Sequence, residues 1–94
     1  MAADIDEISI NYEEEGTLVV KELEKEILTR GAWTTILFRY QEFDRNKQEY
    51  GPEKYTIRRY QKRNGEYLSK SKFNISSAGQ AGKIINTLNR WIGE

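Results

Sequence analysis

The sequence contains no cysteine, no histidine and only one proline in its 94 residues. Without cysteine and histidine, the chain has no disulfide framework, no thiol nucleophile, no Cys/His zinc site and no imidazole for acid–base catalysis. No run approaches the ~18 apolar residues that a membrane-spanning helix needs, and the first residues do not resemble a signal peptide. We therefore expect a cytoplasmic binding protein with no membrane contact, no metal and no cofactor.

Apolar side chains are also scarce, because hydrophobic residues make up 37% of the chain and charged residues 32%. A chain of this length forms a single domain and buries roughly 60–65% of the surface that the unfolded chain exposes. The core is therefore small, and an apolar face left exposed would favour association with a second copy.

The charges cancel over the whole chain but are unevenly distributed along it. Residues 1–26 hold nine acids and two bases, a balance of −7, whereas residues 27–94 hold thirteen bases and six acids, a balance of +7. This asymmetry predicts a basic surface for a polyanion and an acidic arm that can shield it. A chance distribution of ordinary surface charge is the alternative.

The chain divides into an N-terminal tail and one folded domain. Residues 1–16 have few core-forming side chains and end in an acidic run and Gly16, which predicts a mobile acidic tail. Residues 17–94 form the predicted domain. Its first segment, 17–30, carries apolar residues at both helical and strand spacing, and we favour a strand because of the β-branched residues at its ends.

The clearest strand covers residues 32–43, which are rich in Thr, Ile and aromatic side chains. Its alternation separates two faces. The predicted core face carries Ala32, Thr34, Ile36, Phe38 and Tyr40. The other face carries Trp33, Thr35, Leu37, Arg39 and Gln41. Residues 44–53 then form a polar loop with Gly51-Pro52 as its breaker.

Residues 54–62 and 66–75 are predicted to form a hairpin across Asn64-Gly65, a dipeptide that suits the positive φ angles of a two-residue turn. One side of the first strand carries Tyr55 and Ile57, and the other carries Arg58, Tyr60 and Lys62. In the second strand, Phe73 and Ile75 are predicted on one side, and Lys70 and Lys72 on the other. The hairpin therefore places two rows of basic side chains next to each other.

A C-terminal amphipathic helix follows, because Ser77 and Gln80 form a capping-box pattern and an apolar stripe runs from Ile84 to Ile92 before Gly93. The predicted fold class is α+β, with a four-stranded antiparallel sheet followed by one helix that covers one sheet face and leaves the other open. The remaining apolar surface of so small a layer predicts a homodimer.

The open face combines aromatic rings with cations. The side chains predicted to lie there are Trp33, Arg39, Gln41, Arg58, Tyr60, Lys62, Lys70 and Lys72. Bases of single-stranded nucleic acid stack on such rings while cations follow the phosphates, and a duplex hides its base faces. The alternative is that the aromatic residues cover a thin sheet and that the basic residues solvate it.

The stretch from Lys54 to Tyr60, the following hairpin, and Phe73 to Ser77 before the helix resemble the bacterial branch of the transcriptional positive cofactor four family. The likeness covers roughly residues 17–92, and Pur-type domains share a related plan. It implies a dimer whose curved sheets hold single-stranded DNA or RNA, DNA being the first expectation, with little sequence preference. On this basis Trp33, Arg39, Arg58 and Tyr60 match the binding strands.

The resemblance also implies that Lys62, Lys70 and Lys72 contact the nucleic-acid backbone. An acidic run replaces the basic Ser/Lys-rich N-terminal extension of the eukaryotic members. The charge asymmetry therefore predicts that the 1–16 tail competes weakly for the basic face, so that its deletion tightens binding at low salt. The sequence leaves open whether the ligand is DNA or RNA.

Other functions have less support in the sequence. The carboxylate pairs lie in the predicted tail, on a predicted edge strand and at a strand end, where solvated charge is the ordinary role. The glycines at the start of the helix lack the Lys and Ser/Thr of a nucleotide-binding loop. We expect neither an enzyme nor a small-molecule substrate. The second hypothesis is a protein-interaction module that docks a peptide on the sheet or its edge.

Overall fold

A computed structural model describes residues 3–93 as an antiparallel sheet followed by one helix. Its elements are a 3-10 turn Ile5–Glu7, β1 Tyr12–Glu14, β2 Thr17–Thr29, β3 Trp33–Asp44, β4 Glu49–Tyr50, β5 Lys54–Arg63, β6 Glu66–Ile75 and α1 Ala78–Ile92. The strands are ordered β1-β2-β3-β5-β6, and β4 pairs with the end of β3. The α+β class with a C-terminal helix is confirmed.

The sheet has six strands in the described part of the chain, which corrects the prediction of four. The two additional strands are short segments that fold back on a longer neighbour. Tyr12–Glu14 returns on β2 through a turn at Glu15 and Gly16, both of which have positive φ. Glu49–Tyr50 returns on β3, so part of the predicted polar loop is paired.

Residues 17–29 form a strand, as favoured from the sequence, and its register explains the mixed spacing. The pairing with β3 shifts between Glu22 and Glu24 and again between Ile27 and Thr29. Each extra residue changes the alternation. Val20 and Ile27, seven residues apart, therefore both pack against the same core.

The predicted core face of β3 is confirmed from Thr34 onward, because Thr34, Ile36, Phe38 and Tyr40 are buried, whereas Ala32 before the strand is exposed. We call this side of the sheet the inner face and the other side the outer face. Direct cross-strand partners share a face.

The N-terminal segment covers the inner face, which corrects the prediction that residues 1–16 form a mobile tail. Ile8 and Ile10 are only 4% and 7% exposed and pack with Ile36, Phe38 and Tyr40. Polar contacts hold the same segment. The Lys25 ammonium donates to the carbonyls of Ile5, Asp6 and Ile8, and the Glu22 carboxylate accepts from Ser9 Oγ and the Ile10 N–H. Residues 1 and 2 lie outside the described residues.

Helix α1 begins after Ser77, whose hydroxyl accepts the Gln80 N–H, and ends at Gly93 in the left-handed region. None of its residues is buried, so it does not cover the sheet as predicted. The chain measures 46 × 39 × 17 Å, and its radius of gyration is 15.1 Å. A compact domain of this length has a radius of about 12 Å. Within residues 3–93, no helix has the length and apolar character needed to cross a membrane.

Candidate nucleic-acid interface

The eight predicted binding residues do not share one face, which corrects the expectation of a single open surface. In the β3–β5 register, Tyr60 lies opposite Thr34 and Arg58 lies opposite Ile36, both on the inner face. Trp33 and Arg39 lie opposite Gln61 and Tyr55 on the outer face. The inner face holds Arg58, Tyr60, Lys62 and Lys72, and the outer face holds Trp33, Arg39 and Gln41. Lys70 is the additional residue at a register shift in β6.

Two of the outer-face residues make contacts within the fold. Arg39 forms ion pairs with Glu24 at 2.6 Å and Glu53 at 3.2 Å. The hydrogen bond and charge of Glu53, together with Glu24, raise the pKa of the Arg39 guanidinium above its ordinary value. The Gln41 side-chain amide donates to the carbonyl of Gly51. These groups therefore connect β3 to its neighbours, and the Arg39 charge is already balanced.

Tyr60 belongs to the core. It is 7% exposed and packs with Ile36, Phe38 and the N-terminal isoleucines. Burial raises the pKa of its phenol, although the adjacent Arg58 charge partly opposes that shift. A nucleobase cannot stack on this ring in the described fold, so the predicted stacking role of Tyr60 is corrected. The half-buried Tyr67 lies on the same face, in β6 directly opposite Lys62. The Lys62 ammonium is 5.4 Å from the centroid of its ring.

The remaining basic residues of the prediction gather on the β5–β6 hairpin. We call Arg58, Lys62, Lys70 and Lys72 the hairpin patch. None of the four forms an ion pair with a carboxylate in residues 3–93, where the ion pairs involve Arg39, Arg45 and Lys54. Arg58 and Lys72 lie directly opposite each other across the two strands. Like charges in that position repel, so the pairing costs the fold stability.

The hairpin patch belongs to a basic end of the sheet. The β2–β3 connection and the β5–β6 turn meet at this end, and residues 27–36 and 58–72 there hold seven bases and one acid, a balance of +6. At the opposite end, residues 12–20 and 41–54 hold seven acids and three bases, a balance of −4. The uneven charge seen along the chain thus becomes a separation along the strands.

The sequence interpretation missed Tyr67, Arg59 and Arg63 as members of this basic end. Tyr67 shares the inner face with the patch. Arg59 lies on the outer face, with its guanidinium carbon 4.7 Å from the centroid of the Trp33 ring. The signal was present, because Arg59 and Arg63 alternate with Gln61 on one side of β5. It was overlooked because the interpretation followed the other side of that strand.

The described residues contain surface clefts but no cluster of metal-ligating side chains. No group of three or more His, Cys, Asp or Glu side chains there is arranged to hold a metal ion. One cleft has a volume of about 270 Å³ and includes Glu24, Glu26, Leu37, Arg39 and Tyr55. Two of the charged groups that line it, Glu24 and Arg39, pair with each other.

Comparison with known proteins finds no matching family model, no matching curated protein and no matching solved structure. The resemblance to the transcriptional positive cofactor four family therefore stays a prediction.

Proposed function

We propose that the protein binds single-stranded nucleic acid, DNA or RNA, with little sequence preference, through the hairpin patch. The observation that carries this proposal is the position of Arg58 directly opposite Lys72, with no carboxylate paired to either residue in the described chain. A phosphate between the two strands would relieve the repulsion between these cations. The repulsion would then favour the bound state over the free one.

The surroundings of the patch support a flexible, single-stranded ligand. Tyr67 packs partly against the core but keeps part of its ring exposed beside Lys62, and bases stack on such rings irrespective of sequence. A duplex keeps its bases stacked on each other and gains only the phosphate contacts. The acidic opposite end would repel a long duplex lying along the strands, whereas a short single strand can remain at the basic end.

Fluorescence anisotropy tests this proposal with a labelled single strand of about 20 nucleotides, as DNA and as RNA, and with the matching duplex. We expect the single strand to bind several-fold more tightly than the duplex. With four phosphate contacts, the logarithm of its binding constant should fall with the logarithm of salt concentration with a slope of about −3. Binding that favours the duplex, or no binding of any probe at about 50 mM salt, would refute the proposal.

We also propose that α1 docks against a second copy of the chain, so that the binding unit is a homodimer. Ile85, Leu88, Trp91 and Ile92 are all exposed on the helix, and Trp91 has 74% of its surface accessible. A radius of gyration about 3 Å above that of a compact domain indicates that this surface is not covered within one chain. A second copy supplies an identical apolar stripe, and two-fold dimers are the commonest soluble assemblies.

Sedimentation at several protein concentrations tests the dimer. We expect the wild type to dimerise and the pair Ile85→Ser and Trp91→Ser to sediment as a monomer. The control pair Asn86→Ser and Arg90→Ser, on the polar side of the helix, should remain dimeric. A monomeric wild type that captures a peptide or protein through α1 would instead favour the interaction-module hypothesis.

A further inference from the structure

Trp33 and Arg59 form a contact on the outer face, at the basic end of the sheet. Trp33 is the first residue of β3 and is 43% exposed, which is high for so large an apolar side chain. The Arg59 guanidinium carbon lies 4.7 Å from the ring centroid, and the side chains directly across the strands are those of Gln61 and Thr35. The contact is therefore surrounded by polar groups and open to solvent.

Two further arginines lie in the segments next to this contact. Arg30 lies three positions before Trp33, in the β2–β3 connection, and Arg63 ends β5 on the same outer face. The one acid of residues 27–36 and 58–72, Glu66, lies opposite Arg63 in the turn. Arg59 forms no ion pair with a carboxylate in the described residues. An exposed indole thus lies against one guanidinium group, and two further arginines lie nearby in the sequence and in β5.

We infer that Trp33 and Arg59 form a second nucleotide site, which takes an unpaired base and its phosphate from the same single strand that binds the hairpin patch. The inference rests on the proposed function. A nucleobase stacks on an indole ring or on the plane of a guanidinium group, and a neighbouring guanidinium pairs with phosphate oxygens in a bidentate geometry. Lysine has neither the planar group that stacks on a base nor the paired N–H donors that bind a phosphate in a bidentate geometry, so arginine has a specific role here.

The two sites are close enough to share one strand. Gln61 lies opposite Trp33 on the outer face, and its neighbour Lys62 points to the inner face as part of the hairpin patch. Only the thickness of the sheet at the end of β5 separates them. A flexible single strand can pass around this end, whereas a stiff duplex cannot. The outer site therefore adds to the discrimination against duplex.

Tryptophan fluorescence tests the inference directly, because Trp33 and Trp91 are the two tryptophans of the chain. In a Trp91→Phe background, an unlabelled DNA strand of about 20 nucleotides should quench Trp33 emission with the same midpoint that labelled DNA shows by anisotropy with the same Trp91→Phe protein. Free tryptophan titrated with the same DNA corrects for absorption by the bases.

Two substitutions separate stacking from charge. Trp33→Leu should weaken binding at least about fivefold, the smallest effect expected from loss of one stacked base. Arg59→Lys should weaken binding about two- to threefold without changing the salt slope, because the charge is kept and the plane is lost. The control Arg90→Lys, on the helix, should bind as the wild type does. Circular dichroism melts check that each variant is folded.

The outcomes distinguish the two proposals. Salt-dependent binding by anisotropy, with unchanged Trp33 emission and full affinity for Arg59→Lys, would overturn the second site and leave the proposed function in place. No binding by either method would overturn both. If Trp33→Leu fails to fold, the quenching of Trp33 and the Arg59→Lys result decide the question.

Discussion

The charged side chains of the β2–β3 half of the sheet and those of the β5–β6 hairpin differ in whether they have partners within the chain. In the β2–β3 half, Lys25 donates to three backbone carbonyls, Glu22 accepts from the N-terminal segment, and Arg39 pairs with two carboxylates. In the hairpin, Arg58 and Lys72 face each other with no acid paired to either within residues 3–93. Charges of the first kind connect segments of the fold, and those of the second kind are the ones that we propose bind the ligand.

The two parts also differ in how their inner face is covered. The inner face of the β2–β3 half is closed by Ile8 and Ile10, whereas the hairpin keeps its inner-face cations exposed or half-exposed. The fold therefore depends on the N-terminal segment at one side of the face and leaves the other side accessible. Each prediction below tests this division, and the largest expected effect comes first.

Loss of the N-terminal isoleucines should destabilise the protein strongly. Ile8→Ala and Ile10→Ala should each lower the free energy of unfolding by about 2–5 kcal/mol, because each removes a buried side chain and leaves a cavity. A small domain has only about 5–15 kcal/mol in total, so deletion of residues 1–11 should leave little folded protein. Urea denaturation measures both effects, and Asp6→Asn, at an exposed position, is the control.

This expectation replaces the earlier one that deletion of an acidic tail tightens binding. If the deleted protein unfolds at the same urea concentration as the wild type and binds single strands more tightly, the segment is a competing tail after all. The division of the inner face would then be wrong.

Reversal of basic side chains should weaken single-strand binding only when they lie at the basic end of the sheet. Lys62→Glu with Lys72→Glu should weaken single-strand binding by at least about tenfold and reduce the salt slope by about 1.4, since two phosphate contacts are lost. The pair Lys47→Glu and Lys83→Glu makes the same change in net charge away from the hairpin. Because exposed charges are screened beyond about 10 Å at 0.1 M salt, the control should bind within about twofold of the wild type. Equal losses in both pairs would indicate non-specific attraction.

Arg39 should matter less for binding than its sequence position suggests. Arg39→Gln should change single-strand affinity by less than about twofold, because Glu24 and Glu53 already neutralise the guanidinium. Lys72→Gln, which removes a charge from the hairpin patch, is the comparison and should lower both the affinity and the salt slope. A larger loss from Arg39→Gln than from Lys72→Gln would move the binding surface to the outer face.

The sequence predicted those features that short-range patterns decide. The Asn64-Gly65 turn is confirmed, with φ angles of 53° and 79°, as are the helix start at Ser77 and the alternation of β3. Each depends on neighbouring residues alone. The cover of the inner face was missed because Ile5, Ile8 and Ile10 lie among acids and polar residues, and only the folded sheet offers them a surface.

The candidate site was predicted in its residue types but not in its arrangement. Alternation within β5 separates Tyr55 and Ile57 from Arg58 and Tyr60 without saying which set joins the core face of β3. That choice depends on long-range register, and a slip of one residue exchanges the two faces. The structure pairs Phe38 with Thr56, so Tyr60 enters the core and Ile57 lies on the outer face beside Leu37.

Tyr60 gives the smallest and most specific test of the division between fold and site. Burial raises the pKa of its phenol in the folded protein above the ordinary value of about 10. At a pH below that ordinary value the phenol is protonated in both the folded and the unfolded protein, and its contribution to the free energy of unfolding is complete. As pH rises further, the unfolded chain loses the proton first, so this contribution is lost through the folded pKa. The wild type should therefore lose more stability than Tyr60→Phe between about pH 9 and 11.

Urea midpoints of the two proteins measure this difference, and Tyr12→Phe, at an exposed position, controls for the general effect of alkaline pH. Single-strand affinity at neutral pH should be the same for Tyr60→Phe and the wild type, because a ring that packs against Ile36 and Phe38 is not available to a base. A parallel loss of stability in the two proteins, together with weakened binding by Tyr60→Phe, would place Tyr60 in the binding surface. The inner face would then serve the ligand even where the N-terminal segment now covers it.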